Sequence, residues 1–160
     1  MKSIFVTVGT HPQQFNRLIE KLDKLAGEKK IPGKIFAQIG HSTYKPKNFE
    51  YRDFIGIADF RKKMAEADLV ITHSGEGNIG LAKNLGKKMV VVPRKKEFGE
   101  HTNDHQLELA EVVEDMELGL VSWNIEELED RIALSKNYSA ASVPRGNIVQ
   151  MLENFVEENF

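Results

Sequence analysis

Apolar residues fall along this chain in two alternating patterns. Short β-branched runs, nearly continuous in apolar side chains, alternate with stretches whose apolar residues recur every three or four positions. The first pattern marks strands buried on both faces and the second marks amphipathic helices, so the alternation predicts a parallel sheet covered by helices. Ile4-Phe5-Val6-Thr7-Val8 is the first strand. Gly9-Thr10-His11 turns the chain, and Pro12 stands where a first helical residue is welcome, ahead of the stripe Phe15, Leu18, Ile19, Leu22 and Leu25. Residues 34–39 read as the second strand, the polar segment 41–50 with Pro46 as a loop, 52–57 as the third strand and 59–67 as a helix.

Asp68-Leu69-Val70-Ile71-Thr72 is the fourth strand, and it feeds the glycine-rich turn His73-Ser74-Gly75-Glu76-Gly77-Asn78. Helix then runs to Leu85, with Gly86 placed as its left-handed cap. Lys88-Met89-Val90-Val91-Val92-Pro93 is the fifth strand. A charged segment over 94–104 leads to a helix over 105–114, and Gly119-Leu120-Val121 forms a short sixth strand. Asn124 caps a further helix, with Glu127 three residues on completing a capping box. A final helix over 146–160 repeats Ile148, Val149, Leu152, Phe155 and Val156; this stripe either completes the core or, with Phe160, docks on a partner. The expected fold is one doubly wound, Rossmann-like α/β domain over 1–160.

Composition narrows the functional classes. At 160 residues, 41% hydrophobic and 29% charged, the chain can close a core without metal or disulfide. A net charge of −2 argues against a protein that coats nucleic acid. The absence of cysteine removes disulfide scaffolds, thiolate zinc sites and cysteine nucleophiles, and agrees with a cytoplasmic setting. No apolar run approaches the roughly 20 residues that span a bilayer. Met1-Lys2-Ser3 leads straight into a strand, so no signal peptide is expected.

Ligands of doubly wound folds bind outside the carboxyl ends of the strands. Three loops there carry candidate chemistry: Gly9-Thr10-His11, the turn 73–78, and the segment 94–106. Small residues in the middle loop let backbone approach a ligand, and the following helix start offers free N–H groups to a phosphate or diphosphate. The alternative is a tight strand-to-helix turn with no guest. Gly75-Glu76-Gly77-Asn78-Ile79-Gly80 also fits G-x-G-x-x-G, which points to a dinucleotide. However, it follows the fourth strand rather than the first, and the next strand ends in Val92-Pro93-Arg94 without the usual acidic residue. An NADP-binding oxidoreductase with Arg94 on the extra phosphate is therefore an alternative. In the third loop, His101, Asp104, His105 and Gln106 suit the hydroxyls and phosphate oxygens of a sugar nucleotide, while Asn103 or Asp104 also suits a helix cap. His101 and His105, four apart, resemble a metal pair, but no third ligand accompanies them and no metal is expected. Lys95, Lys96 and Arg94 read as solvated charges or as added positive potential near a diphosphate.

These segments resemble a known family. Phe5-Val6-Thr7-Val8-Gly9-Thr10-His11, Ile71-Thr72-His73-Ser74-Gly75-Glu76-Gly77-Asn78 and Val91-Val92-Pro93-Arg94, followed by the run from Phe98-Gly99-Glu100-His101 to His105-Gln106-Leu107-Glu108-Leu109-Ala110, are similar to the C-terminal domain of family 28 glycosyltransferases. The likeness is to the small donor-binding subunits of split UDP-GlcNAc transferases acting on dolichol-linked sugar, and to bacterial relatives in polysaccharide assembly. The resemblance implies one half of a GT-B glycosyltransferase. It implies a UDP-sugar as co-substrate, no cofactor, and a membrane-associated partner that brings a lipid-linked acceptor to the cytoplasmic membrane face. By the same resemblance Gly9, Thr10, Ser74, Gly75, Gly77 and Asn78 border the donor diphosphate, and His101, Asp104, His105 and Gln106 meet the donor sugar. Backbone at Ile57 lies beside the uracil, and His11 stands near the acceptor as the candidate catalytic group. One position departs from the family: Leu81 occupies the place of a carboxylate that grips the ribose hydroxyls. That departure favours a second function, a non-catalytic subunit that stabilises or activates a membrane-bound transferase.

Overall fold

The structure, a computed structural model, describes residues 1–142 together with Gln150 and Asn154. Six strands form one parallel sheet: β1 (Ser3–Thr7), β2 (Lys34–Gln38), β3 (Glu50–Arg52), β4 (Leu69–His73), β5 (Lys88–Val92) and β6 (Leu120–Val121). Their order across the sheet is β3-β2-β1-β4-β5-β6. The order reverses between β1 and β4, where Val6 pairs with Ala37 on one side and Ile71 on the other. Connections leave these two strands in opposite directions, which opens a crevice at their carboxyl ends.

Side-chain alternation along each strand feeds two cores. Ile4, Val6, Leu69, Ile71, Val90 and Val92 face Phe15, Leu18, Ile19 and Leu22 at α1 (Asn16–Gly27), with Leu128 and Ile132 of α5 (Leu128–Ser135). Phe5, Val70, Met89, Val91 and Val121 face the other side. There they meet Met64 of α2 (Ile57–Glu66), Ile79 and Ala82 of α3 (Glu76–Asn84), and Leu109, Ala110 and Val113 of α4 (His105–Asp115). Burial on both faces is why these strands are nearly continuous in apolar residues. The fold is the doubly wound α/β sheet expected.

Four local expectations change. The third strand lies at Glu50–Arg52 rather than 52–57, because its ladder to β2 ends where Gln38 pairs with Arg52. The Gln38 side chain then accepts the Ile55 N–H at 2.9 Å and draws the apolar residues after Asp53 out of the sheet. Pro12 does not open the first helix, which starts at Asn16. The carbonyls of Gln13 and Gln14 accept from the Arg94 guanidinium at 2.9 and 3.3 Å, so this segment is a turn. Asn124 accepts the Glu126 N–H at 3.1 Å, and a 3₁₀ turn, Ile125–Glu127, precedes α5. No capping box forms, since the Glu127 carboxylate lies 3.6 Å from Arg131 instead. Finally, His101 sits in the loop before α4 and so does not share a helix face with His105. Gly86 does end α3 in the left-handed region, at φ 67°. Apart from Gln150 and Asn154, the helix expected over 146–160 and its docking stripe lie outside the described residues.

Candidate functional site

A cleft of about 620 Å³ lies at the carboxyl ends of β1 and β4. Its floor is Gly9, Thr10 and His11 after β1, with His73, Gly75, Gly77 and Asn78 after β4. His101 and Gln106 close one side. Phe54, Ile55, Ile57, Phe60 and Leu81 make an apolar wall opposite, interrupted by Arg61, and Gln38 completes the lining. Among these described lining residues there is no aspartate or glutamate. With an arginine, three histidines and no carboxylate, the cleft is suited to an anion.

His73 organises the floor. A Cβ on Gly9, whose φ is 75°, would stand 2.5 Å from His73 Nε2, and one on Gly75 would stand 2.2 Å from Cε1. Both glycines therefore exist to let the imidazole lie between the two loops. The Arg94 N–H donates to Gln106 Oε1 at 3.0 Å, which turns the Gln106 amide nitrogen to His73 Nδ1, also at 3.0 Å. Nδ1 is thus an acceptor and the ring proton belongs on Nε2. Asn78 Nδ2 stands 3.3 Å from Nε2; with the amide turned over, its oxygen meets that proton. Burial, and then the Arg94 charge, push the His73 pKa down to about 3, so the ring is neutral near pH 7.

The third loop is held by two buried charges, Arg94 and Glu100, and by the partly buried Arg17. Arg94 is fully buried. Its Nη2 donates to Val8 O at 2.6 Å, and its Nη1 donates to Gln13 O, Gln14 O and Glu100 O. The buried Glu100 carboxylate takes Arg17 Nε at 2.7 Å and Nη2 at 3.0 Å, and also accepts the Lys95 N–H. Arg94 is thus a latch between loops rather than a surface cation, and it cannot reach the extra phosphate of NADP. The dinucleotide alternative loses its one basic contact.

The other candidate residues divide by place. Gly9, Thr10, His11, Gly75, Gly77, Asn78, His101 and Gln106 share the cleft, and so does Ile57, which opens α2 and is 80% exposed. Ser74 is buried beneath the turn, with its hydroxyl unpartnered, and does not line the cleft. Asp104 and His105 lie outside the lining. The Asp104 carboxylate accepts the Lys96 N–H at 3.0 Å, and the His105 N–H donates to Asn103 Oδ1 at 3.1 Å. Gln106 has both polar ends engaged inside the protein. The sequence reading passed over His73, whose signal was its place at a strand end beside Gly75, and over Phe54 and Ile55 of the apolar wall, read as a strand.

The sequence model of the glycosyltransferase family 28 C-terminal domain matches residues 3–149. The chain belongs to this family. It is 35% identical over 119 residues to the UDP-N-acetylglucosamine transferase subunit ALG13 of Homo sapiens and 32% identical over 124 residues to that of Mus musculus. Each match covers 69% of this chain and 10% of the relative, so the chain spans about a tenth of the length of these curated relatives. Among solved structures it is similar to the glycotransferase of kitacinnamycin (TM-score 0.63, 22% identity), covering 98% of this chain and 38% of that one. It is also similar to the calicheamicin glycosyltransferase CalG4 (TM-score 0.59, 20% identity, 97% and 39%). MurG of Acinetobacter baumannii aligns at TM-score 0.55 and 18% identity over 99% and 50% of the two chains. These likenesses place the fold as one half of the GT-B architecture. No helix among the described residues is long and apolar enough to cross a membrane.

Proposed function

We propose that this chain is the donor-binding subunit of an inverting hexosyltransferase. It takes a UDP-sugar and, with a membrane-associated acceptor-binding partner at the cytoplasmic membrane face, passes the sugar to a lipid-linked acceptor. The observation that carries the reading is the cleft at the sheet's switch point, whose described lining holds no carboxylate, with the α3 N-terminus and two glycines at its floor. A diphosphate matches that floor, because unpaired helix amides and a positive dipole meet its charge. The planar base matches the apolar wall around Ile57. The relatives' name, UDP-N-acetylglucosamine transferase subunit, supports the donor class.

In the reaction the acceptor oxygen bonds to the sugar carbon as that carbon's bond to the diphosphate oxygen breaks. The departing negative charge falls to groups of this chain, chiefly the Gly75–Gly77 backbone at the start of α3. The acceptor's proton must pass to a base. The described lining offers no carboxylate, and His73 is a neutral ring engaged by Gln106. The base is then either the His11 imidazole at the cleft or a group of the partner.

A second reading, an accessory subunit that does not bind donor, is favoured by Leu81 in the cleft wall, since no acidic side chain there can grip ribose hydroxyls. Calorimetric titration with UDP, UDP-N-acetylglucosamine and NADPH separates the two. Uridine-nucleotide binding that disappears in Gly75→Val, without NADPH binding, is the expected result. Absence of uridine binding by a folded protein overturns the donor-binding reading in favour of the accessory one.

A further inference from the structure

His11 and His101 come from loops ninety residues apart in sequence, yet their rings stack in the cleft with centroids 4.2 Å apart and planes 25° apart. Each ring is oriented by its own turn. The Gln13 N–H donates to His11 Nδ1 at 3.2 Å, and the Asn103 N–H donates to His101 Nδ1 at 3.4 Å. An acceptor Nδ1 leaves the ring proton on Nε2. Two stacked imidazoles thus carry their protons on Nε2, in a cleft whose described lining holds no carboxylate.

We propose that His11 and His101 work as one unit, a pair of neutral Nε2–H donors that holds the terminal phosphate of a nucleoside diphosphate. The proposal rests on the diphosphate reading above. It assigns both rings to the bound anion, in place of an acceptor base for His11 and a sugar contact for His101. Neutral rings suit the stack, since two imidazoliums this close would repel each other. The surroundings keep them neutral. Desolvation lowers the pKa of both, aided for His11 by His101, Arg94 and His41, and for His101 by Arg94 and His105. The Asn103 contact and Asp104 act in the opposite sense on His101, and His73 shares the same floor. Stacking also gives the pair a mechanical role, because the loop after β1 and the loop before α4 are then positioned together around one phosphate.

UDP and UMP differ by the group in question, so the test is their affinity ratio, read by calorimetry. His11→Phe and His101→Phe keep an aromatic stack and remove the donor. Each is expected to lower UDP affinity roughly tenfold, as for one lost hydrogen bond to a charged group, while UMP affinity holds. The double variant His11→Gln with His101→Gln keeps two amide donors and sheds the stack, and is expected to retain the UDP preference within about threefold. In the unmodified protein the preference is expected to stay flat from about pH 7 to 8.5. A tenfold decay over that range would identify an imidazolium and overturn the neutral-donor assignment. If the folded Phe variants keep the original ratio while Gly75→Val abolishes binding, the pair has no such role and the diphosphate reading stands. If the double Gln variant folds but loses the preference as far as the Phe variants, the donors are not what matters and the proposal falls. If the unmodified protein binds neither UDP nor UMP, both readings fall together.

Discussion

Two groups of polar side chains meet at the carboxyl end of this sheet, and they differ in what their hydrogen bonds reach. Arg94, Glu100, Arg17 and Gln106 reach backbone, one another and the His73 ring: the Arg94 guanidinium alone joins carbonyls at residues 8, 13, 14 and 100. Thr10, His11, Arg61 and His101 instead line open space. Both groups read alike in sequence, as charged and polar residues in loops after strands and in the helices that adjoin them. The first group sets the shape of the cleft, and the second is left to meet what enters it. Substitutions in the two groups should therefore separate, stability falling in one and affinity in the other.

Arg94→Ala is expected to produce the largest loss. It removes a fully buried guanidinium and strands the Val8 and Glu100 carbonyls in the interior, along with the part-buried carbonyls of Gln13 and Gln14. Burial pushes the Arg94 pKa down to about 10, against the pull of Glu100, so the group remains a cation at neutral pH. Removing such a group should cost about 3–5 kcal/mol in urea unfolding. Arg94→Lys should recover little, since one ammonium cannot span carbonyls on both sides. A loss under about 1 kcal/mol would mean that the latch does not hold the loops.

Gln106→Ala comes next. It leaves the Arg94 N–H unpaired in the interior and removes the donor that fixes the His73 ring. About 1–3 kcal/mol is expected by the same measurement. Its effect on ligand binding should follow from the displaced ring, so UDP and UDP-sugar should weaken together. Weakening of the sugar-bearing ligand alone would show that Gln106 contacts the sugar directly.

The sheet was legible in sequence because each buried strand carries its own signal. Ile4 to Val8 and Met89 to Val92 are apolar on both faces wherever the rest of the chain lies. The glycine turn was legible for a similar reason, since a strand, a histidine and two glycines stand within a few residues. Arg94 was not legible. It sits beside Lys95, Lys96 and Glu97 in a run that reads as solvated, and nothing local says that carbonyls of the loop after β1 and of its own loop converge on it. The end of the third strand failed likewise, because Phe54 to Ile57 are apolar for the cleft wall rather than for the sheet. The His11–His101 stack joins two loops distant in sequence, so no spacing rule could pair them. Local periodicity encodes elements, whereas this site is built from the ends of elements that only topology brings together.

His73 supplies a pH test of the same network. Its folded pKa is depressed to about 3, below the unfolded value near 6.5, so below that unfolded value the unfolded state binds more protons than the folded one. Its contribution to stability is whole above about pH 6.5 and is lost as pH falls toward 3. The loss should be on the order of 1 kcal/mol per pH unit, or about 1–2 kcal/mol by pH 5. His73→Gln should remove this slope while keeping an amide in place of the ring. If both proteins lose stability equally between about pH 7 and 5, His73 is not held neutral by its burial.

The smallest stability effect is expected at Arg61, which sharpens the comparison from the other side. Arg61 is exposed on α2, one residue after Phe60 in the cleft wall. Arg61→Ala should change unfolding free energy by less than about 0.5 kcal/mol, as exposed substitutions do. It should nonetheless weaken UDP severalfold at low salt, because it takes one positive charge from a cleft whose described lining holds no carboxylate. Salt screens such a charge, so the difference from the unmodified protein should shrink as ionic strength rises toward about 0.5 M. A stability loss approaching that of Arg94→Ala would erase the distinction between the two polar groups. Unchanged affinity at low salt would place the anion beyond the reach of α2, on the side of the cleft held by His11, Gly75 and His101.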